Sequence, residues 1–443
     1  MAGTAGLVGG LALSPSTVAA GAVRTRAAAR AGDVAGMVGV RTNLAAANNS
    51  LYGNIPLVAS ALNDLGIRHI RERMVLPDSS STQARNQREG WQRLASMVPR
   101  LRVSGITGTV DDSQGTVAEF AAYIESALGG SSGVVGSVEN ANEPNAPDLP
   151  WNQDDPDGWV APTRARQRAM AHVFRGRPGL QGLDVLGPSL SGGAGRRQYH
   201  QLGDLSSSLD VGNFHVYPGN DEPGTPSTGL DEAISALRAN AGTKPYWCTE
   251  TGMHQGMLSR AAMAYYPESV AAEYIARIPL EHFSRGVSRV YLFELLDDEF
   301  DPVFLDNQAH FGLLRYQVPT PTPKPAYDAL RRLLALLHDP GPTFRPQGEP
   351  VTLRGAPADC RHLLLQKRDA RRYLCLWRDV PLWDLSRNRA IPVEPVPVGV
   401  DIGRPGRVRS HVPADASGPV RTESGVSGMS VDLGGSVVIL EID

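Results

Sequence analysis

Residues 134–145, VVGSVENANEPN, decide how the rest of the chain is interpreted. The segment starts as a short apolar strand and ends in an Asn-Glu-Pro triplet that carries Glu143, where a strand gives way to a loop. Residues 244–252, KPYWCTETG, repeat this pattern and place Glu250 at the end of another strand. The two segments therefore predict two glutamates that each follow a buried strand.

The spacing of Glu143 and Glu250 suits a closed parallel barrel. Their separation in the sequence corresponds to about three βα units of a barrel whose eight units take roughly 250 residues. The ends of all strands would meet at one rim, so the two carboxyls would face each other. Acid-assisted glycoside hydrolysis requires such a pair, because one carboxyl protonates the leaving oxygen and the other attacks or activates water. A single glutamate at a strand end could simply cap the turn that follows it. Two glutamates in equivalent positions favour a catalytic role.

Strand-like and helix-like segments alternate eight times between residues 36 and 338. Short apolar strands are predicted at 37–44, 68–75, 101–106, 134–141, 184–188, 210–216, 245–249 and 288–295. Helices are predicted at 55–65, 83–97, 116–128, 162–174, 196–205, 230–239, 269–283 and 326–337. Thr116 is the expected N-cap of the third helix. Apolar strands without alternation indicate a parallel sheet buried on both faces, so the sequence predicts an α/β fold, a (β/α)8 TIM barrel.

The chain is predicted to have three parts. Residues 1–35 begin with an uncharged, apolar run and a small-residue triplet, so they form either a signal-like segment or a disordered tail. Residues 36–338 form the catalytic barrel. Residues 339–443 lose helix periodicity, and a hairpin between 362 and 377 and a closing strand at 436–442 predict a C-terminal all-β sandwich domain.

Composition and motifs exclude several classes of function. The 443 residues are 41% hydrophobic and 20% charged, and their net charge of −3 gives no basis for binding nucleic acid or an anionic membrane. No segment reaches the ~18 consecutive apolar residues of a membrane span. Because the chain has a signal-like start, we expect a secreted or extracellular protein, and a cytoplasmic protein is the alternative. Metal-ligand pairs, a Walker loop and a dinucleotide fingerprint are missing, so we expect no metal and no cofactor.

Three motifs together resemble the clan A retaining glycoside hydrolases. They are NANEPN with Glu143, HVYPG on the sixth predicted strand and WCTETG with Glu250. The later segments FELLDDEFDP, HFGLL and PKPAYDALRRLL are similar to family 39-like members, among them bacterial endoglycosidases that cut exopolysaccharide. The resemblance covers about residues 37–337. It implies a retaining hydrolase that cleaves a β-linked oligo- or polysaccharide, and it leaves the sugar and the oligomeric state open.

The resemblance also implies roles for individual residues. Glu143 would be the acid/base and Glu250 the nucleophile, with their carboxyl groups ~5–5.5 Å apart as in retaining enzymes. The implied substrate-binding residues are Asn142, Arg71, His215 and Tyr217. Of these, Arg71 and Tyr217 would support Glu250, and Asn142 would hold a sugar hydroxyl.

One position departs from the clan pattern. Clan members often place a tryptophan near the end of the eighth strand, under the sugar, and this chain has Phe293 there. An aromatic face stacks on the apolar face of a sugar, so we include Phe293 and Trp151 among the substrate-binding residues. Further loop candidates for such a platform are Trp159, Tyr265 and Tyr266, and loop packing is the alternative for each.

Alternation along the seventh predicted strand assigns its side chains to two faces. Counted back from Glu250, Tyr246 and Cys248 share the inward face, and Trp247 and Thr249 face the helices. Cys248 is then a buried small hydrophobic residue and not a nucleophile.

Three other functions compete with hydrolysis by two glutamates. A carbohydrate-binding pseudoenzyme would keep the cleft without turnover, but binding alone does not require both Glu143 and Glu250. A transglycosidase would use the same residues on another acceptor. A metal-assisted hydrolase would need a ligand cluster that the motifs do not provide.

Overall fold

The computed structural model describes residues 22–47, 50–77, 82–415 and 419–443. Residues 1–21, which carry most of the signal-like pattern, lie outside this part. The described start of the chain forms β1 (Val23–Arg24), β2 (Ala29–Arg30) and helix α1 (Ala31–Gly36). Both strands join the C-terminal sheet, so residues 22–35 belong to the folded protein and not to a tail.

Strands and helices then alternate. The strands are β3 (Val38–Arg41), β4 (His69–Arg73), β5 (Arg102–Ile106), β6 (Val135–Glu139), β7 (Asp184–Val185), β8 (Gly212–His215), β9 (Tyr246–Thr251) and β10 (Arg289–Leu292). A small sheet of β11 (Leu314–Arg315) and β12 (Thr322–Pro323) lies between β10 and the last of these helices. The helices are α2 (Ile55–Leu65), α3 (Thr82–Met97), α4 (Val117–Ala127), α5 (Val160–Gly176), α6 (Tyr199–Leu202), α7 (Leu230–Ala241), α8 (Glu268–Ser284) and α9 (Pro325–Leu337).

Strands β3 to β10 form one parallel sheet in the order β7-β6-β5-β4-β3-β10-β9-β8. Its two ends meet where Leu186 and Val211 form a parallel bridge. Two backbone hydrogen bonds support this closure, from Gly187 N to Val211 O at 2.9 Å and from Asp210 N to Val185 O at 2.8 Å. The predicted eight-unit parallel βα architecture is therefore confirmed, and it has the arrangement of a (β/α)8 barrel.

Caps and glycines set the ends of the barrel helices. Thr116 is the N-cap of α4, as predicted, and it forms a reciprocal capping box with Glu119. The helix predicted at 196–205 is shorter, because only α6 is α-helical and Gly203, at a positive φ of 62°, ends it.

None of the helices in the described ranges combines the length and the hydropathy that a membrane span requires.

Strand β9 contains a β-bulge that the sequence analysis did not predict. On the neighbouring β8, Phe214 pairs with Cys248, and the next residue, His215, pairs with Glu250. Between these two pairs β9 contains one extra residue, Thr249, that has no partner in β8. Such bulges are frequent at barrel rims and beside active sites, where they redirect a side chain.

The bulge makes part of the predicted face assignment wrong. Trp247 packs inside the barrel against Tyr291, and the hydroxyl of Thr249 donates to Asn213 Oδ1 at 2.7 Å. Both side chains had been predicted to face the helices. The prediction counted back from Glu250 and assumed that side chains alternate without interruption. The extra residue reverses which positions before it face the barrel interior. Cys248 is fully buried in the core, as predicted.

The C-terminal part is built from one large sheet. Its further strands are β13 (Thr352–Arg354), β14 (Cys360–Gln366), β15 (Arg372–Arg378), β18 (Val396–His411), β19 (Pro419–Leu433) and β20 (Val438–Ile442), and a separate pair comprises β16 (Trp383–Asp384) and β17 (Arg389–Ala390). The large sheet has the order β1-β13-β18-β20-β15-β14-β2, with β19 on β18. The predicted hairpin and closing strand correspond to β14-β15 and β20. The two-layer sandwich and the division between residues 338 and 339 stay predictions.

Helix α8 joins the barrel to the C-terminal sheet. Trp377 Nε1 donates to Glu281 Oε1 at 2.5 Å, and Arg277 Nη1 donates to the carbonyl of Val380 at 3.0 Å. Trp377 is fully buried, and it belongs to the same apolar core as the barrel helices. The two parts therefore share one core across α8.

We expect the Trp377→Phe variant to be less stable than the wild type by about 1–3 kcal/mol, because buried Glu281 loses a hydrogen-bond donor. Denaturant-induced unfolding measures this difference in the free energy of unfolding. Trp383→Phe is the matched control, since the buried indole nitrogen of Trp383 has no hydrogen-bond partner among the described residues. Equal losses in both variants would show that this hydrogen bond adds nothing to stability.

Candidate active site

Polar side chains converge at the C-terminal ends of the barrel strands. They come from β4, β6, β8 and β9 and from the loops that follow β6 and β8, and they comprise Arg71, Glu139, Asn142, Glu143, His215, Tyr217, Thr249 and Glu250. Glu143 and Glu250, identified from separate motifs, therefore lie at the same rim. The parallel strand order explains this, because every strand of such a sheet ends at one face.

Arg71 is the centre of the network. Its guanidinium makes a bidentate contact with Glu139, at 2.7 Å from Nε and 2.6 Å from Nη2. It also donates from Nη1 to Glu250 Oε1 at 2.5 Å and from Nη2 to Asn142 Oδ1 at 2.8 Å. Arg71 is only 1% exposed, so its charge is balanced by these two buried carboxylates.

The surroundings of Glu250 keep its carboxyl ionised. Burial alone raises its pKa, but the interactions with His215 and Arg71, together with hydrogen bonds from Tyr217 and Arg71, outweigh burial and lower the pKa to about 2. The Tyr217 hydroxyl donates to Glu250 Oε2 at 2.8 Å. Glu250 is therefore an anion throughout the neutral and mildly acidic range.

Glu143 is held by a loop with unusual backbone geometry. Its φ of +43° is in the left-handed region, which residues other than glycine rarely adopt and which is frequent at functional sites. Its amide donates to the carbonyl of Ser189 at 3.1 Å. On the other side of the loop, Trp151 Nε1 donates to the carbonyl of Pro144 at 2.8 Å. These contacts direct the Glu143 side chain toward His215, whose Nδ1 lies 2.8 Å from Glu143 Oε1.

The two glutamates are close enough to act on one bond. A carboxylate oxygen of Glu143, one of Glu250 and a ring nitrogen of His215 all lie within 4.8 Å of one another. Within the described ranges these three residues also form a set of ligands that could hold a metal ion, since carboxylate and imidazole are common ligands. The geometry is therefore compatible with catalysis by the two carboxyl groups and with catalysis by a bound metal ion.

Two adjoining cavities flank Glu250, and Asn142, Glu250 and Phe293 line both. The first, of about 420 Å³, has Arg41, Asn43, Arg71 and Arg73 in its wall. The second, of about 490 Å³, has Glu143, Tyr217, Met263, Gln308 and Phe311 in its wall. A continuous cleft thus passes over Glu250, with Glu143 on one side of it.

The predicted aromatic residues have different positions. Phe293 lies at the junction of the two cavities, between the Arg41 guanidinium, 5.0 Å from its ring centre, and the edge of Phe311. Trp151 braces the loop of Glu143 from a half-buried position. Trp159 and Tyr266 are fully buried, so of the two alternatives for these side chains, sugar platform or loop packing, the structure favours loop packing.

The sequence analysis missed a second charged cluster beside the cleft. Arg41, at the end of β3, forms ion pairs with Glu294 and with Asp298, the latter at 3.0 Å. Burial raises the pKa of Glu294 to about 8, and the charge of Asp298 acts in the same direction while Arg41 opposes both. A charged residue at the end of an apolar strand, such as Arg41, was the available signal. Its partners lie more than 250 residues away.

Comparison with known proteins finds relatives only at the level of structure. No family model and no curated protein matches the sequence. The structure is similar to a family 39 glycoside hydrolase from the gut symbiont Bacteroides cellulosilyticus WH2, with 14% identity, coverage of 93% of this chain and 82% of that chain, and a TM-score of 0.60. The fold is that of the clan A glycoside hydrolases.

Two further structures support this assignment of the fold. A family 51 α-L-arabinofuranosidase from Bifidobacterium longum has 11% identity, coverage of 95% of this chain and 99% of that chain, and a TM-score of 0.59. A glucosidase from Croceicoccus marinus has 13% identity, coverage of 87% and 91%, and a TM-score of 0.56. The resemblance to clan A that the motifs predicted is therefore confirmed for the fold, over nearly the whole chain.

We expect Tyr217→Phe to lower kcat/KM by about 10–100-fold, because Glu250 loses a hydrogen bond to its charged form. Loss of that donor raises the pKa of Glu250 from its low value. The acid limb of the kcat/KM profile should therefore move to higher pH. Tyr246→Phe is the control, since its hydroxyl bonds the carbonyl of Arg285 at the other end of β9. A Tyr217→Phe profile that superimposes on the wild type would contradict the role of this hydroxyl.

Proposed function

We propose that the protein is a retaining glycoside hydrolase that cleaves a β-linked oligo- or polysaccharide through a glycosyl-enzyme intermediate. The spacing of Glu143 and Glu250 carries this proposal. Carboxyls in retaining enzymes lie ~5–5.5 Å apart, whereas inverting enzymes leave ~6.5–9.5 Å for a water molecule. Oxygens of the two glutamates within 4.8 Å of each other suit direct attack by one carboxylate. The clan A fold agrees with the proposal, and the family 39-like assignment is part of it.

Glu250 is the nucleophile in the first step. As an ionised carboxylate it attacks the anomeric carbon, and the bond from that carbon to the glycosidic oxygen breaks. Glu143 donates its proton to this oxygen, so the leaving group departs as a neutral alcohol. Arg71 and Tyr217 hold the Glu250 carboxylate by one oxygen each, which fixes its orientation toward the cleft.

His215 positions the carboxyl of Glu143. On the inner side of the ring, His215 Nε2 lies 3.0 Å from the Thr249 hydroxyl and 3.4 Å from Arg71 Nη2. On the other side of the ring, His215 Nδ1 lies 2.8 Å from Glu143 Oε1, so the imidazole holds the Glu143 carboxyl beside Glu250.

In the second step the roles of the two glutamates change. The Glu250 charge is consumed in the ester bond to the sugar, and Glu143 has become a carboxylate. Glu143 removes a proton from water, the water oxygen attacks the anomeric carbon, and the ester bond to Glu250 breaks. Two displacements at one carbon give net retention of configuration. A sugar hydroxyl in place of water would make the protein a transglycosidase with the same residues.

A screen on aryl β-glycosides and on bacterial and plant polysaccharides tests this function, and the configuration of the first product is read by NMR. Retained configuration supports the proposal, and inversion or the absence of any hydrolysis opposes it. Binding without cleavage would favour the pseudoenzyme alternative. Repeating the assay after exhaustive chelation tests the metal alternative, because the Glu143–His215–Glu250 set would lose a bound ion. The two-glutamate mechanism requires unchanged activity.

A further inference from the structure

Five apolar side chains stand out into solvent on two loops of the barrel rim. They are Met257 and Leu258 after β9, and Phe300, Val303 and Leu305 after β10. Each is between 53% and 69% exposed. We call these five residues the apolar rim. A concentration of exposed apolar side chains beside a cleft marks a binding surface.

Hydrogen bonds hold the two loops of the apolar rim together. The amide of Leu258 donates to the carbonyl of Phe304 at 3.0 Å, and the amide of Gln255 donates to the carbonyl of His310 at 3.2 Å. Within the second loop, Asp301 accepts from the amides of Val303 at 3.2 Å and Asp306 at 2.8 Å. The apolar side chains are therefore displayed by braced backbone.

The two loops that carry the apolar rim also border the side of the cleft that receives the leaving group. Glu143, the proposed proton donor, lines the second cavity and not the first. A general acid must contact the leaving oxygen, so the second cavity takes the leaving group. Met263 and Phe311, from the same two loops, line this cavity. The two loops that display the apolar rim therefore also contribute apolar side chains to the cavity on the leaving-group side.

We propose that the apolar rim binds the hydrophobic leaving group of the substrate, so that the protein cleaves glycosides of apolar alcohols. This inference rests on the proposed hydrolase function and specifies its substrate class. The acidic residues Glu299, Asp301 and Asp306 lie on the same loop. They disfavour an anionic lipid surface, and they would face one another if two copies met symmetrically through this patch. A neutral, apolar alcohol meets neither obstacle.

Alcohols that compete with water for the glycosyl-enzyme test this inference. An aryl glycoside that the enzyme hydrolyses is supplied with methanol or 1-hexanol, and the yield of alkyl glycoside is compared. Each buried methylene improves binding about fourfold, so 1-hexanol should be preferred on the order of 10²–10³-fold. Phe300→Ser and Leu305→Ser should reduce this preference at least ~10-fold. Met97→Ser and Val420→Ser, which remove exposed apolar residues elsewhere, are the controls and should leave it unchanged.

A binding measurement makes the test independent of turnover. The fluorescence of 2-naphthol reports binding of an apolar alcohol, and Phe300→Ser and Leu305→Ser should weaken it at least fivefold. Equal use of methanol and 1-hexanol, or equal 2-naphthol binding in all variants, would overturn the inference. If the wild type floated with phosphatidylcholine vesicles and only the rim variants did not, the apolar rim would be a lipid-binding surface and the inference would be overturned. If the wild type formed a dimer in sedimentation equilibrium that only the rim variants lost, the rim would bind a second copy of the chain, and the inference would also be overturned. If no aryl glycoside is cleaved, the hydrolase proposal fails and 2-naphthol binding still decides on the apolar rim.

Discussion

The Glu250→Ala variant should lose activity on every substrate, by about 10⁴–10⁶-fold, because removal of a nucleophile abolishes the covalent route. The loss should not depend on the leaving group, since no activated aryl group replaces the missing carboxylate. Glu250 is 9% exposed and buried beside Arg71. The alanine therefore leaves a small polar space next to the anomeric carbon.

Azide is the diagnostic reagent for this variant. A small anion in the space left by Glu250→Ala would attack an activated glycoside directly and give a glycosyl azide of inverted configuration. Arg71 keeps its bidentate partner Glu139, so we expect the variant to stay folded, which thermal unfolding would confirm. Glu125→Ala, on a surface pair with Arg177, is the matched control and should retain full activity. Azide product of retained configuration would identify Glu250 as the acid/base.

The electrostatics around Arg71 explain why these residues occur together. One guanidinium faces two carboxylates, Glu139 and Glu250, in a buried site. Glu139 takes the bidentate contact and also accepts from Ser189 at 2.9 Å, so it is the structural partner. Glu250 has a single contact with Arg71, so its remaining lone pairs are available to a substrate in the cleft. A buried arginine can thus be neutralised by one carboxylate while another stays reactive.

Local patterns were sufficient to predict the barrel. Most of the strands are short and apolar and most are followed by an amphipathic helix, so their positions depend on neighbouring residues alone. Glu143 and Glu250 could be recognised because each lies at or just beyond the end of a predicted strand. Arg71, in the middle of β4, was predicted from the resemblance to clan A and not from this local pattern.

Features that depend on distant pairing could not be predicted. The bulge at Thr249 exists because β9 must match both β8 and β10, and no local signal records that match. Likewise, β1 and β2 are two residues long and acquire their structure only by pairing with β13 and β14, more than 300 residues later. The pairing of Arg41 with Glu294 depends on the adjacency of β3 and β10, which closure of the sheet creates.

The Glu143→Ala variant should separate the two steps of the reaction. General acid–base catalysis is typically worth ~10²–10⁴-fold, so hydrolysis of a substrate with a poor leaving group, such as an oligosaccharide, should fall by that factor. An activated aryl glycoside needs no protonation and should still form the glycosyl-enzyme. Its slow step becomes attack by water without a base, so we expect a burst of the aryl alcohol followed by slow turnover.

The same anion again distinguishes the roles. Azide needs no base, and it should attack the glycosyl-enzyme of Glu143→Ala to give a glycosyl azide of retained configuration. His215→Ala is an informative comparison, because it removes the neighbour of Glu143 and leaves the proton donor in place. It should lower activity without a burst. If Glu143→Ala instead gave an inverted azide product, the assignments of Glu143 and Glu250 would have to be exchanged, because inversion requires that the removed carboxylate was the nucleophile.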